Sequence, residues 1–120
     1  MYKRQEAFRY TFPASISGFL SVINNKDGSE RENKGTIDIL NISPKGCSFS
    51  SGLHLPLKQE LQFVIHLKLN EEVLDLPGYV VWKKEKAASN SYGFSFIEKP
   101  GLTEQITNEV KRYVKTLRQP

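Results

Sequence analysis

The sequence is poor in the residues that build disulfides, metal centres and many catalytic sites. Its 120 residues include one cysteine, Cys47, and two histidines, His54 and His66. A lone cysteine cannot form a disulfide within the chain or a cysteine-based metal cluster, and we expect Cys47 to be a small buried hydrophobic residue. Neither histidine has another histidine or a cysteine nearby in sequence, which argues against a zinc site or a histidine-dependent triad. The sequence therefore predicts no metal and no cofactor.

Long apolar segments and catalytic motifs are also missing. No segment approaches the roughly 20 apolar residues that a transmembrane helix needs, and no apolar signal-peptide core follows the basic N-terminus. The sequence thus predicts a cytoplasmic location without membrane insertion. No Gly-rich phosphate loop or nucleophile motif is present, and Glu71, Glu72 and Asp75 have no evident acid–base partner. We therefore do not expect an enzyme.

The composition is that of an ordinary globular domain. Hydrophobic residues make up 38% of the chain and charged residues 25%, and a chain of this length is enough for a self-sufficient core. The formal net charge is +4, which favours an anionic partner without identifying it.

Most of the chain has the pattern of short strands separated by turns. Between residues 60 and 70 every second residue is apolar, which predicts a strand with one buried face. His66 falls on the opposite face of that strand and is expected to face solvent. Similar strand-like segments span residues 14–24, 36–39, 47–49, 73–83 and 91–97. Apolar residues at three- and four-residue steps from Leu102 to Leu117 predict an amphipathic helix.

This order of segments predicts an antiparallel β-barrel with a C-terminal helix. We expect a single domain over residues 1–120, divided into three parts. Residues 1–12 form a flexible basic arm, residues 13–98 the barrel, and residues 101–118 the helix. Aromatic residues alternate at the end of the arm, which predicts that the arm enters the first strand in a defined register.

A polar turn in the middle of the chain is the main candidate for a binding site. Residues 41–46 have the sequence NISPKG and lie between two strand-like segments. Pro44 presets its φ angle, and Gly46 permits a positive one. Asn41 and Ser43 can hydrogen-bond to neighbouring backbone. The segment therefore predicts a strand, a tight turn and a second strand, with polar side chains held at one end of a sheet.

Three motifs, in this order along the chain, are similar to those of the PilZ domain family, which is best known for binding cyclic di-GMP. Residues 41–46 match the family's [D/N]xSxxG motif in its asparagine form. Residues 78–82 match its Gly-x-Val-Val-Trp strand, and residues 92–96 are similar to the Gly-x-x-Phe strand that follows. The resemblance covers essentially the whole chain. It implies a mainly β fold, a six-stranded antiparallel β-barrel with a C-terminal α-helix, which agrees with the periodicity.

The family's arm motif, Arg-x-x-x-Arg, is present in an altered form. Arg9 stands at the second arginine, but the position four residues before it is Gln5, and Arg4 lies one residue further away. The resemblance implies a receptor that binds cyclic di-GMP with its arm and its turn. It also implies that ordering of the arm relays the messenger to a downstream protein, which the sequence does not identify. The implied ligand-binding residues are Arg4, Gln5, Arg9, Asn41, Ser43 and Gly46.

These residue types suit a cyclic dinucleotide. A guanine edge presents the N7 and O6 acceptors, which an arginine fork meets with two parallel hydrogen bonds. Arginine also binds phosphate bidentately and stacks on base planes. Asn41 and Ser43 add short polar groups at the site, and Gly46 permits a sharp turn and a close approach of the ligand.

Two other functions stay open. A degenerate PilZ-like domain that has lost cyclic di-GMP binding would act as a protein-interaction module. The spacing of Arg4 and Arg9 favours that alternative, whereas the intact turn at residues 41–46 opposes it. A small barrel that binds single-stranded nucleic acid is compatible with the basic charge and the aromatic residues. Those aromatics share strand faces with aliphatic residues, however, so core packing explains them better and we expect no nucleic acid polymer as a partner.

Overall fold

The computed structural model describes residues 9–23, 35–57 and 61–118. Within these residues the chain forms six β-strands and one α-helix. The elements are β1 (Tyr10–Val22), β2 (Gly35–Ser43), β3 (Gly46–Ser51), β4 (Phe63–Lys68), β5 (Val73–Glu85), β6 (Asn90–Phe96) and α1 (Leu102–Arg118).

The six strands close into a barrel in the order β1-β2-β3-β6-β5-β4, and every neighbouring pair is antiparallel. The predicted fold class, a six-stranded antiparallel barrel with a C-terminal helix, is therefore confirmed. β1 and β5 are the longest strands, with 13 residues each, and both shift register within a strand pair. Such bulges increase the local bend and twist, which lets long strands wrap around a small barrel.

The strands begin and end at positions that differ from the sequence prediction. β1 begins at Tyr10, so residues 10–12, which the sequence pattern assigns to the arm, form part of the barrel wall. Phe12 explains this difference, because its side chain is 5% exposed and its ring packs edge-to-face on Tyr113 of α1 at 5.6 Å between centroids. β4 covers only Phe63–Lys68, which is shorter than the predicted segment of residues 60–70.

Helix α1 packs against the barrel through its apolar stripe. Leu102, Ile106 and Val110 are buried in the same core cluster as the barrel interior. Asn70, which follows β4, donates hydrogen bonds to the backbone oxygen of Glu109 at 3.0 Å and to its carboxylate at 2.7 Å. These contacts fix the helix relative to the strands, so the segment that leads from β6 into α1 has a defined position.

His66 lies on the outer face of β4, as the alternation predicts, but it is less exposed to solvent than expected. Its side chain is only 19% exposed, and Nδ1 donates a hydrogen bond to Asp75 Oδ1 at 2.7 Å. Its Nε2 lies 2.9 Å from Ser21 Oγ. The register explains the chain of contacts, because His66 of β4 pairs with Phe19 of β1 on one side and with Asp75 of β5 on the other.

The order serine, histidine, aspartate is that of a nucleophilic triad. A nucleophile must nevertheless be reached by its substrate, and Ser21 has 0% of its surface exposed. In this structure the three side chains link strands β1, β4 and β5 rather than form an open catalytic site.

Candidate functional site

A cleft of about 450 Å³ lies between the turn that joins β2 to β3 and the strands β5 and β6. We call it the turn cleft. It brings together three of the six predicted ligand-binding residues, Arg9, Asn41 and Gly46. The described residues that line the turn cleft are Arg9, Asn41, Lys45, Gly46, Cys47, Ser48, Val81, Trp82, Gly93, Phe94 and Ser95.

Arg9 and Asn41 form a polar part of this lining. Arg9 directly precedes β1, and Thr11 of β1 pairs with Asn41 of β2, so the barrel register places the two side chains beside each other. Arg9 Nη1 donates a hydrogen bond to Asn41 Oδ1. Because the asparagine is neutral, it orients the guanidinium without cancelling its charge. This part of the cleft therefore offers a positive charge and N–H donors to an anionic ligand.

Lys45 is a second cation at the turn cleft, and it was not among the predicted site residues. Of the described residues that line the cleft, the charged ones are Arg9 and Lys45, and both are cations. Lys45 Nζ also lies 2.9 Å from Glu98 Oε2. A lysine within a tight turn is usually a solvated surface residue, and only the folded position of the turn shows that it borders a cleft.

Ser43, unlike Asn41, is buried within the turn. Its side chain has 0% exposure, and its hydroxyl donates to the backbone oxygen of Gly46 at 3.3 Å and accepts from the N–H of Lys45 at 3.4 Å. These hydrogen bonds hold the turn together, as expected for a serine that bonds to neighbouring backbone. Ser43 is not among the lining residues of the turn cleft; its predicted contact with a ligand stays a prediction.

Gly46 is required by packing between strands. It pairs with Ser95 across β3 and β6, and a Cβ at this position would come closer than 3.0 Å to the backbone oxygen of Phe94. Any larger residue would therefore push β3 away from β6. From the sequence, a positive φ at a sharp turn and the approach of a ligand explain Gly46. Gly46 does not have a positive φ in the structure, so the first of these reasons does not apply, and the close contact between backbones takes its place.

Trp82 is the largest side chain in the lining, and in the sequence it stands out only as part of a family motif. A register shift between Val80 and Trp82 inserts one extra residue into β5. As a result Val81 and Trp82 are both exposed, at 53% and 46%. Trp82 pairs with Gly93 of β6, and a Cβ on Gly93 would come closer than 3.0 Å to the indole. Because Gly93 has no side chain, the indole of Trp82 has room to lie in the cleft.

Cys47 lies in the floor of the turn cleft with 5% of its surface exposed. Burial raises the pKa of its thiol to about 12, and the nearby charge of Arg9 lowers that pKa by a smaller amount. The thiol is therefore protonated at neutral pH and is a poor nucleophile. This agrees with the expectation that Cys47 is a small buried residue.

Two of the predicted site residues, Arg4 and Gln5, lie outside the described residues, and their contacts with a ligand stay predictions. Within residues 9–23, 35–57 and 61–118, no group of three or more histidine, cysteine, aspartate or glutamate side chains is arranged to hold a metal ion. No helix in that part of the chain combines the length and the apolar character needed to cross a membrane.

Comparison with known proteins adds independent findings. The family model described as PilZ domain matches residues 3–115 of this chain. No curated protein matches the sequence. Among solved structures, the chain is similar to the PilZ domain with c-di-GMP of YcgR from Escherichia coli, with a TM-score of 0.67 and 15% identity. That match covers 97% of this chain and 95% of the YcgR domain.

Two longer proteins share the same fold. The crystal structure of YcgR in complex with c-di-GMP from Escherichia coli matches with a TM-score of 0.65 and 14% identity, over 97% of this chain and 48% of that one. MrkH of K. pneumonia in its apo state matches with a TM-score of 0.56 and 16% identity, over 98% of this chain and 54% of that one. The chain thus spans about half the length of these two proteins. At such identities the likeness shows the fold alone.

Proposed function

Because this chain belongs to the PilZ domain family, we propose that it is a receptor for cyclic di-GMP and that the ligand occupies the turn cleft. The observation that carries the proposal is the pairing of Arg9 with Asn41 in a lining whose described charged residues are both cations. Two of the similar structures, the PilZ domain of YcgR and YcgR itself, are described as holding c-di-GMP. Their likeness supports the choice of ligand.

The chemistry of the cleft suits this ligand. Cyclic di-GMP carries two phosphates, which Arg9 can bind with its guanidinium fork and Lys45 as a point charge. A guanine edge offers the acceptors N7 and O6 to N–H donors such as those of Arg9. Trp82 adds a half-exposed aromatic face, and stacking of a base on such a face typically contributes about 1–3 kcal/mol. Cation, hydrogen-bond donor and aromatic surface thus lie within one cleft.

We further propose that the N-terminal arm closes over the bound ligand and that its ordering presents a new surface to a downstream protein. Arg9 directly precedes β1, so a ligand held by Arg9 lies next to the residue that connects the barrel to the arm in sequence. Segments that order on binding are common switches in signalling proteins. The sequence identifies neither the downstream protein nor the cellular process that it controls. The cytoplasmic location stays a prediction from the sequence.

Calorimetric titration with cyclic di-GMP tests the proposal. Saturable binding is expected, together with a rise in the melting temperature, because the ligand binds the folded state. Cyclic di-AMP is the matched control ligand, since it keeps the ribose–phosphate ring but replaces the guanine O6 acceptor with the adenine N6 donor. A flat titration of folded protein at high micromolar cyclic di-GMP would contradict the proposal and favour a protein-interaction module instead.

The spacing of the arm arginines predicts a graded effect. Arg4 is further from β1 in sequence than Arg9, and closing the arm costs roughly 1–2 kcal/mol per ordered backbone residue. A charge-assisted hydrogen bond contributes only about 1.5–3 kcal/mol, so most of the gain from Arg4 is offset. We expect Arg4→Ala to weaken binding but leave it measurable, and Gln5→Arg, which restores the usual family spacing, to tighten it.

Titrating both arm variants beside the wild type at one salt concentration checks this. If Arg4→Ala abolishes binding and Gln5→Arg brings no gain, Arg4 already acts as the family's first arginine despite its shifted position.

A further inference from the structure

Lys45 stands between two openings of the surface. One is the turn cleft, and the other is a crevice of about 180 Å³ where β6 leads into α1, which we call the helix crevice. Lys45 is the described residue that both linings share. The described residues that line the helix crevice are Pro44, Lys45, Glu98, Lys99, Leu102 and Thr103.

The backbone between the turn cleft and the helix crevice is held by hydrogen bonds. The N–H of Lys45 donates to Ser43 Oγ at 3.4 Å, and the oxygen of Lys45 accepts from the N–H of Phe96 at 2.9 Å. Glu98 lies two residues beyond Phe96, the last residue of β6, and the N–H of the intervening Ile97 donates to the oxygen of Pro77 at 2.8 Å. A conformational change between the two openings would therefore involve mainly the side chains of Lys45 and Glu98.

Those two side chains form an exposed ion pair. Lys45 Nζ lies 2.9 Å from Glu98 Oε2, and the side chains are 56% and 78% exposed. Ion pairs at such exposure are weak and sensitive to salt. The lysine stem is a flexible four-carbon chain, so the same ammonium can turn from a carboxylate on one side to a phosphate on the other.

We propose that Glu98 competes with the ligand for Lys45, so that binding of a ligand in the turn cleft breaks the Lys45–Glu98 ion pair. The loss of this ion pair then changes the environment of the residues that lead into α1. The inference rests on the proposed function, because it requires an anionic ligand in the cleft. A ligand phosphate and the Glu98 carboxylate are alternative acceptors for one ammonium group. Because coupling between two sites is reciprocal, whatever holds Lys45 on Glu98 lowers ligand affinity, and ligand binding releases Glu98.

Removing the carboxylate should therefore tighten binding. In Glu98→Gln, which keeps the size of the side chain, we expect the affinity for cyclic di-GMP to rise about two- to fivefold at low salt, the range that an exposed ion pair allows. The gain should shrink at high salt, where the pair in the wild type is already screened.

Glu104→Gln is the matched control. Glu104 lies in the first turn of α1, is exposed, and lines neither opening. Both substitutions remove one negative charge near the start of α1, so Glu104→Gln measures how much a lost charge in this region raises the affinity without any contact with Lys45. A gain in Glu98→Gln that exceeds the gain in Glu104→Gln supports competition for Lys45. Equal gains would overturn it.

Two further measurements test whether Lys45 links ligand binding to the residues that precede α1. In a Lys45→Gln background, adding Glu98→Gln should leave the affinity unchanged, because no ammonium is left to compete for. At saturating ligand, the amide chemical shifts of residues 98–103 should move in the wild type and move much less in Lys45→Gln. If these shifts move equally in both proteins, the ion pair does not carry the signal.

The outcome for the wild type keeps this inference distinct from the proposed function. If the wild type binds cyclic di-GMP and Glu98→Gln behaves like Glu104→Gln, the competition is wrong while the receptor function stands. If the folded wild type does not bind cyclic di-GMP, both are wrong.

Discussion

Replacing Arg9 with alanine should nearly eliminate cyclic di-GMP binding. Arg9 precedes β1 directly and hydrogen-bonds to Asn41, so its guanidinium is placed before the ligand arrives and little ordering is needed. Two charge-assisted hydrogen bonds from one fork contribute about 1.5–3 kcal/mol each, which corresponds to a rise in Kd on the order of a hundredfold or more. Calorimetry of Arg9→Ala beside the wild type measures the change.

Two further variants show whether the loss comes from the fork or from charge alone. Arg9→Lys keeps the positive charge but loses the bidentate geometry, and we expect it to recover only a small part of the affinity. Lys68→Ala removes one positive charge from an exposed position on β4 that does not line the turn cleft, and it should bind nearly as the wild type does. If Arg9→Lys binds like the wild type, Arg9 acts only as a charge.

The fold could be predicted from the sequence because its signals are local. Alternating apolar residues define strands, three- and four-residue steps define the helix, and both patterns survive in the structure as buried faces of the barrel and of α1. The start of the first strand was misplaced because Phe12 is held by Tyr113, which lies about a hundred residues further along the chain. A contact over that distance in sequence leaves no local pattern.

The site could be predicted only in part for a similar reason. The turn motif led to Asn41 and Gly46, which do line the turn cleft. Lys45 was missed because its place beside the turn cleft depends on the pairing of β3 with β6, and the sequence near the turn does not indicate that pairing. Trp82 was missed as a site residue because its exposure depends on a bulge in β5, and a bulge reverses the strand alternation on which the sequence prediction depends.

His66 illustrates the limit of periodicity most clearly. The alternation placed it correctly on the outer face of β4, but the face alone does not determine the environment of a side chain. Its contacts with Ser21 and Asp75 arise from the register of three strands, and register is set by pairing across the barrel rather than by the segment that contains the histidine.

Gly46→Ala should damage both stability and ligand binding. The added Cβ would come closer than 3.0 Å to the backbone oxygen of Phe94, and a backbone atom in a paired strand cannot turn aside as a side chain can. β3 would have to move away from β6, which weakens the pairs that Gly46 and Cys47 form with Ser95 and Phe94. Overpacking of this kind typically costs about 1–3 kcal/mol. Chemical denaturation measures the loss of stability, and titration with cyclic di-GMP measures the loss of binding.

Two other glycines serve as matched controls for this substitution. A Cβ added at Gly52 would meet no other atom within 4 Å, so Gly52→Ala should leave stability and binding close to those of the wild type. Gly93→Ala meets the indole of Trp82 rather than backbone, and the indole can move at a smaller cost to the fold. We therefore expect Gly93→Ala to weaken binding more than it lowers stability, whereas Gly46→Ala lowers both. If Gly46→Ala proves as stable as Gly52→Ala, the close contact between β3 and β6 does not explain the glycine, and ligand approach at the turn becomes the better reason for it.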